Sequence, residues 1–412
     1  MKNVSLLIKP ASADCNLRCG YCFYLPKAEL YPGAVHRMDE RTLERLVGSY
    51  LALPQETHTF GWQGGEPTLM GLPFFRRMVE LQTALGQPGA KVANGLQTNG
   101  TLLDDEFASF LSDYRFLVGV SLDGPAALHD AGRYTVSGQV THARVLSGIE
   151  CLRRRRVEFN ILTLVTQNNA ARPAEVYDYL IANGFYYQQY IECVNFADSP
   201  TVAPFAIDGP EWGEFLCAIF DRWYPRDVQK VSVRLFDAIL AHLVDGTANT
   251  CTHSGNCQCY FLVEHNGDIY PCDFHVQPEW RLGNLHTDSW AALWNGPRFA
   301  QFGARKTREE ETRCGGCPYL AICLGDCPKN RGSDVSRRSR LCEGWQRFYR
   351  HTLPRFQELA GQIRRDREFV CCEMKRRQRL ATANIVTIPG RNAPCTCGSG
   401  RKFKACCGRW LR

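Results

Sequence analysis

Between residues 3 and 194 the chain alternates short runs rich in β-branched and aromatic residues with longer stretches whose apolar positions recur every three or four residues. The first pattern, at 4–9, 58–63, 92–98, 116–122, 158–166 and 187–194, predicts strands. The second, near 39–53, 72–86, 104–113, 141–155 and 172–183, predicts amphipathic helices between them. A sixth helix near 210–224 follows the last strand. Six strand–helix units in strict alternation call for an α/β fold with a parallel sheet and helices outside, either open and doubly wound or an incomplete barrel. The unusual residues choose between these. Cys15, Gly64-Gly65-Glu66, Thr98-Asn99-Gly100, Ser121-Leu122-Asp123 and Glu192-Cys193-Val194 all fall at or just past strand C-terminal ends. Loops there share one face, and one site drawn from many strands favours a partial (β/α)6 barrel over 1–225.

From about 226 the alternation stops. A second unit, 226–350, contains the cysteine-rich stretch 251–342, where turn residues replace periodic segments and bound ligands rather than an apolar core are expected to organise the chain. A helix with a charged face is predicted over about 343–380, with 351–382 as a helical extension. A linker at 381–391 leads into a small terminal module, 383–412.

The length of 412 residues, 44% of them hydrophobic, suffices for more than one core. No apolar run approaches the roughly 18 residues that span a bilayer, and the N-terminal run is too short for a secretory signal. A cytoplasmic protein without a membrane partner is expected. The net charge of +7 is unevenly placed: from Glu373 to Arg412 ten Lys/Arg stand against one acid, so the first 372 residues carry −2. Solvated charge on a small module explains that tail better than a nucleic-acid partner does.

Twenty-one cysteines are the informative number. In a reducing compartment grouped cysteines read as metal or redox sites, and an odd count argues against a closed disulfide set. The first group is Cys15-x3-Cys19-x2-Cys22. Three thiolates leave a four-iron cluster with one open iron, able to bind a substrate or cofactor. The alternative is a structural zinc ion completed by a neighbour such as His36. The second group is Cys251-x5-Cys257-x14-Cys272, then Cys314-x2-Cys317-x5-Cys323-x3-Cys327, then Cys342. Eight thiolates suit two fully ligated four-iron clusters, and two zinc sites would use the same count. The third, Cys395-x-Cys397-x8-Cys406-Cys407, packs four thiolates among glycines and suits a closed tetrahedral zinc site. Of the remainder, Cys151, Cys193 and Cys217 read as small buried hydrophobes. Cys371 and Cys372 stay unassigned, and Cys259 is a stray thiol beside the second group.

The loop Cys15-Asn-Leu-Arg-Cys19-Gly-Tyr-Cys22, with Gln63-Gly-Gly-Glu-Pro67 after the second strand, resembles the radical S-adenosylmethionine (SAM) superfamily. The second cysteine group resembles the twin-cluster SPASM domain of its peptide and protein maturases, and the third resembles the SEC-C zinc module. Within that set the chain is similar to anaerobic sulfatase-maturating enzymes over residues 1 to about 350. The features that carry the likeness are Cys19-Gly-Tyr-Cys-Phe-Tyr24, Trp62-Gln-Gly-Gly-Glu-Pro-Thr-Leu69, Gln97-Thr-Asn-Gly100, Ser121-Leu-Asp-Gly124, Gln189-Tyr-Ile-Glu-Cys193 and Tyr270-Pro-Cys-Asp273.

The resemblance implies three 4Fe-4S clusters and a crossed ligation, Cys251, Cys257, Cys272 and Cys327 on one auxiliary cluster and Cys314, Cys317, Cys323 and Cys342 on the other. It implies a 5′-deoxyadenosyl radical that removes a Cβ hydrogen from a Cys or Ser of an unfolded sulfatase segment, giving Cα-formylglycine. An electron donor such as flavodoxin or ferredoxin would supply the first electron, and the auxiliary clusters would accept the second. Asp273 is the implied base; a carboxylate of ordinary basicity is weak against a thiol, so burial would have to strengthen it. For SAM the pattern points to Tyr21, Gly65, Glu66, Ser121, Arg133 and Val194, with Tyr21 acting through its backbone, Arg133 facing the carboxylate and Glu66 facing the ammonium. Arg133 and Glu66 pairing with each other on the surface is the plain alternative. Tyr24 and Gln63 are candidates for substrate contact. Two other readings stand beside this one: another SPASM-type maturase forming thioether or carbon–carbon crosslinks, and a non-catalytic zinc-rich interaction protein.

Overall fold

The computed structural model describes residues 4–194, 203–331, 338–365, 385–387, 390, 392–395 and 399–406. Every strand–helix unit expected from the hydrophobic pattern is present. The barrel half runs β1 (Ser5–Lys9), α1 (Glu40–Leu51), β2 (Thr57–Trp62), α2 (Gly71–Leu85), β3 (Lys91–Thr98), α3 (Asp105–Asp113), β4 (Leu117–Ser121), the short α4 (Ala126–His129), α5 (His142–Arg154), β5 (Glu158–Val165), α6 (Pro173–Ala182) and β6 (Tyr187–Glu192). Then follow α7 (Gly209–Trp223), β7 (Ser232–Val233), α8 (Arg234–Asp245), β8 (Tyr260–Glu264), β9 (Asp268–Tyr270), β10 (Gly283–Asn284), α9 (Trp290–Asn295), α10 (Pro297–Arg313), α11 (Leu320–Cys323), α12 (Cys342–Arg365) and β11 (Ile385–Thr387).

Local chemistry explains the helix starts. Asp39 accepts from Thr42 N at 2.7 Å and Asp104 from Phe107 N at 2.8 Å, satisfying first-turn donors of α1 and α3. Asp208 and Glu211 form a reciprocal capping box on α7. Alternation along β2 and β3 buries His58, Phe60, Trp62, Val92, Asn94, Leu96 and Thr98 on one face.

β1 to β6 lie side by side in chain order and all parallel. The sheet does not stop there. β8 joins β1 in parallel with Ser5 opposite Tyr260 and Lys9 opposite Glu264, and β9 and β10 extend that edge antiparallel. The cysteine-rich half is therefore built onto the barrel's first strand. Its organisation departs from the expectation that ligands alone would order it: Phe261, Ile269, Trp290, Leu293 and Phe299 are buried in the same core as the barrel side chains. Short segments hid this, because β9 and β10 are too brief to show a period.

The helix expected over 343–380 is observed as α12, and its continuation past 365 lies outside the described residues. It is part of the core. Phe348 and Phe356 meet Phe236 of α8 and Phe220 of α7 with ring centroids 5.9 and 4.9 Å apart. The linker strand β11 pairs antiparallel with β3, Ile385 opposite Ala93 and Thr387 opposite Lys91. That places the tail's attachment at the strand N-terminal end, whereas the cysteine loop follows a strand C-terminus. Among the described residues no helix is long and apolar enough to cross a membrane.

Candidate active site

The loop after β1 carries Cys15, Cys19 and Cys22 and is zipped to residues 132–135. Arg18 N donates to Tyr134 O at 2.8 Å, Gly20 N to Gly132 O at 3.1 Å, and Leu17 bridges Thr135. All three thiols lie in one apolar nest with Leu17, Tyr21, Leu164, Cys193 and Phe205. Leu17 N donates to Cys15 Sγ at 3.3 Å and Asn99 Nδ2 does so at 3.7 Å. Burial pushes the Cys15 thiol up to about 12 and the Cys19 thiol up to about 11. Bound iron would reverse that, because a coordinated thiol is deprotonated. Three soft, dehydrated ligands with N–H donors on a sulfur fit an iron–sulfur cluster. His36 is not a fourth ligand: its ring Nδ1 meets Asp14 Oδ1 at 2.8 Å and its Nε2 meets Tyr31 O at 3.3 Å.

The glycine-rich loop after β2 sits directly under this segment. Gly65 N donates to Ser12 O and Glu66 N to Asp14 O, both at 2.8 Å. A Cβ on Gly65 would lie 2.0 Å from Asp14 O, so only glycine allows the approach. Glu66 is fully buried, and its carboxylate accepts from Thr68 N, Thr68 Oγ1, Thr98 Oγ1 and Asn99 N at 2.7–3.1 Å. It clamps the loops after β2 and β3 together, which is the position its sequence motif left open. Burial pushes its carboxyl up.

Arg133 is largely covered, its side chain 11% exposed, and does not meet Glu66. Its Nε and Nη2 hold Asp123 at 2.8 and 3.1 Å, and the guanidinium lies 5.4 Å from the Tyr21 ring centre. Burial works against ionisation of Asp123, yet Arg133 holds its carboxyl below the usual range. The Tyr21 phenol donates to the same Asp123, so its side chain is part of the brace. Ser121 Oγ accepts from Gln97 Nε2 at 3.4 Å, and Val194 is buried just past β6.

Asp273 lies at the junction of the two halves. It is buried directly after Cys272. Its Oδ2 accepts from the Tyr24 hydroxyl and from Gln63 Nε2, the latter at 3.3 Å, while its Oδ1 faces Lys9 Nζ at 3.1 Å. Lys9 Nζ also donates to Glu264 Oε1 at 3.0 Å. Burial opposes the charge on Lys9, but Asp273 and Glu264 hold it above the usual lysine range; burial likewise opposes Glu264, which Lys9 holds down at about 2. Lys27 donates to the Asp273 carbonyl oxygen, and burial lowers it to about 8. Tyr24 and Gln63, expected at the substrate, thus touch the expected base directly. Lys9, Lys27 and Glu264 escaped sequence reasoning, which placed Asp123 on the site face without giving it a role. The available signal was a charged residue ending an apolar strand, Lys9 on β1 and Glu264 on β8.

The second cysteine group divides into two sets. Cys257 and Cys327 each lie in electrostatic reach of Cys251 and Cys272, with Cys259 beside them, its Sγ donating to Asn256 O. A separate hollow is lined by Cys314, Cys317, Cys323 and Cys342. Cys327 therefore lies with the first set, although its neighbours along the chain belong to the second. In the tail, Cys395 is buried and its N donates to Arg401 O at 2.8 Å, while Cys406 Sγ meets Ser399 Oγ at 3.0 Å. Cys397 and Cys407 lie outside the described residues, as do Cys371 and Cys372.

Comparison with known proteins agrees with this geometry. Residues 10–180 match the radical SAM superfamily, 244–318 an iron–sulfur cluster-binding (SPASM) domain and 391–409 a SEC-C motif. The chain is 34% identical over 376 residues to a serine-type anaerobic sulfatase-maturating enzyme of Bacteroides thetaiotaomicron, covering 86% of this chain and 90% of that one. It is 35% identical over 371 residues to a cysteine-type enzyme of Clostridium perfringens, covering 88% and 100%. A solved structure described as native anSMEcpe with bound AdoMet and Cp18Cys peptide superposes with a TM-score of 0.80 at 34% identity, over 87% of this chain and 99% of that one. Streptococcus suis SuiB shares the fold, with a TM-score of 0.59 at 18% identity, over 82% of this chain and 77% of that one.

Proposed function

The chain belongs to the anaerobic sulfatase-maturating enzymes of the radical SAM superfamily, and on that premise we propose that it oxidises a Cys or Ser in a sulfatase polypeptide to Cα-formylglycine. Bound at Cys15, Cys19 and Cys22, a 4Fe-4S cluster with SAM supplies one-electron cleavage and a carbon radical able to take a Cβ hydrogen. The rest falls to this chain's own side chains. Asp273 takes the thiol or hydroxyl proton, with Tyr24 and Gln63 orienting its carboxylate; Ser then gives formylglycine directly, whereas Cys gives a thioaldehyde that water hydrolyses with release of hydrogen sulfide. Arg133 and Tyr21, braced by Asp123, line the SAM side together with Gly65, Ser121 and Val194, and Glu66 holds the loops that shape it. The sets Cys251/Cys257/Cys272/Cys327 and Cys314/Cys317/Cys323/Cys342 hold two auxiliary 4Fe-4S clusters, the acceptors of the second electron. Flavodoxin or ferredoxin is the proposed donor. Cys395, Cys397, Cys406 and Cys407 hold a zinc ion.

What supports this assignment most directly is the contact of Asp273 with Tyr24 and Gln63, which brings the residue after an auxiliary-cluster cysteine to the barrel's cysteine loop. The test is anaerobic purification with iron and zinc quantified, then reduced incubation with SAM and a sulfatase-type peptide. About twelve irons, about one zinc and a formylglycine mass shift lost in Asp273→Asn are expected. A crosslinked peptide, or SAM cleavage with no peptide oxidation, would overturn the assignment.

A further inference from the structure

Lys9 ends β1 with its side chain turned into the protein and none of it exposed. Its place is set by register, because β1 and β8 pair in parallel with Lys9 opposite Glu264. A lateral Lys–Glu pair of this kind is common on sheets, but this one has a third member. The same ammonium reaches Asp273 Oδ1 at 3.1 Å and lies 4.6 Å from the centre of the Tyr24 ring. Asp273 thus has the Lys9 charge on its Oδ1 edge, where no hydrogen bond forms, and hydrogen bonds from Tyr24 and Gln63 on Oδ2. The end of β1 also places Gln63, whose N donates to Ile8 O at 2.9 Å.

The glycine-rich loop makes room for this lysine. Gly64 sits at φ +125°, and a Cβ there would fall 3.0 Å from Lys9 Cγ and 3.2 Å from its Cβ. Burying three charged groups together is seldom repaid in stability. Apolar residues replacing Lys9 and Glu264 together would serve the strand pair as well.

We propose that Lys9 is a positioning residue for the Asp273 carboxylate, fixing its plane so that Oδ2 is presented to the substrate side. This rests on the assignment of Asp273 as the base. Lys9 itself touches neither substrate nor cofactor.

Removing Lys9 alone strands two buried carboxylates, so the informative variant is Lys9→Met with Glu264→Gln, which deletes the strand pair's charges together. Wild type and variant are compared by iron content, thermal midpoint, rate of SAM cleavage, and formylglycine formed per 5′-deoxyadenosine. Iron, midpoint and SAM cleavage are expected to hold, while formylglycine per 5′-deoxyadenosine drops by about tenfold or more, short of the roughly 10²–10⁴ for loss of a base. The peptide KM should not move. Lys9→Arg, which keeps a cation on Asp273, should recover part of the yield. An unchanged yield per 5′-deoxyadenosine in the double variant overturns the proposal. So does a parallel fall of iron, midpoint and cleavage, the mark of a strut. Failure of the wild type to form formylglycine overturns the function itself, a separate outcome.

Discussion

The loop of Cys15, Cys19 and Cys22 and the cysteine-rich half both gather thiols, by different means. In the first, three cysteines lie within eight residues, and the loop's own turns, zipped to residues 132–135, bring them together. In the second, Cys251, Cys257 and Cys272 must wait for Cys327, which arrives from beyond three cysteines of the other set. The crossing has a local cause. Leu324, Gly325 and Asp326 all have positive φ, a sharp turn between Cys323 and Cys327. Asp326 pins it by accepting from Asn330 Nδ2 at 2.9 Å and Ser339 Oγ at 2.6 Å. A site whose ligands are near neighbours in sequence can be read from spacing; one closed by a turn and a polar lock cannot.

The strongest way to break this comparison is at the first loop. Cys19→Ala should abolish SAM cleavage and remove roughly a third of the iron, leaving both auxiliary clusters. Chromatography of 5′-deoxyadenosine and iron quantification would read it, and retained cleavage would refute the local site. The crossing is sharpened by pairs of substitutions. Cys327→Ala with Cys272→Ala should cost no more iron than either alone, whereas Cys327→Ala with Cys314→Ala should cost about twice as much.

Acid sensitivity is a property the halves share: burial lowers His253 to about 4 and His275 to about 3 in the cysteine-rich half. Burial lowers His129 in the barrel from the ordinary 6.5 to about 4, and its neutral Nδ1 accepts from Asp123 N at 3.3 Å. Asp123, Asp130, Arg133 and His142 are the charged or titratable groups around it. Below pH 6.5 the unfolded chain binds a proton that the folded one refuses, so stability is lost as pH falls from 6.5 to about 4. The loss approaches roughly 3 kcal/mol. His129→Asn, which cannot take up that proton, should reduce the slope of a denaturation series against pH in this window, leaving the shares of His253 and His275.

Packing density gives the smallest contrast. Gly65→Ala drives a methyl into Asp14 O and should cost about 1–3 kcal/mol. Gly316→Ala, between Cys314 and Cys317, meets nothing within 4 Å and should leave the thermal midpoint unchanged. Equal midpoints for the two variants would dissolve the contrast.

Legibility followed the same division. The six barrel strands and their helices were readable because each is long enough to show its period, and β2 and β3 alternate without a break. β8, β9 and β10 were not, being short strands, of which β8 has its partner β1 far off along the chain. Among site residues, the cysteines, Glu66, Arg133 and Asp273 were visible, but which residues they pair with was not. For Glu66 the sequence pointed to a cofactor contact and did not show the clamp it makes between two loops; for Tyr21 it pointed to a backbone contact and did not show the bond from its phenol to Asp123.

By itself, then, the sequence determined the strand–helix order, the face on which the chemistry gathers and the three-thiol loop, since periodicity and close spacing are local properties that backbone geometry converts directly into structure. Only the tertiary structure decided that β8 pairs with β1, and so that Lys9 meets Glu264 across 255 residues and Tyr24 meets Asp273 across 249. Contacts that distant depend on the register of the whole sheet, which no short window of sequence contains.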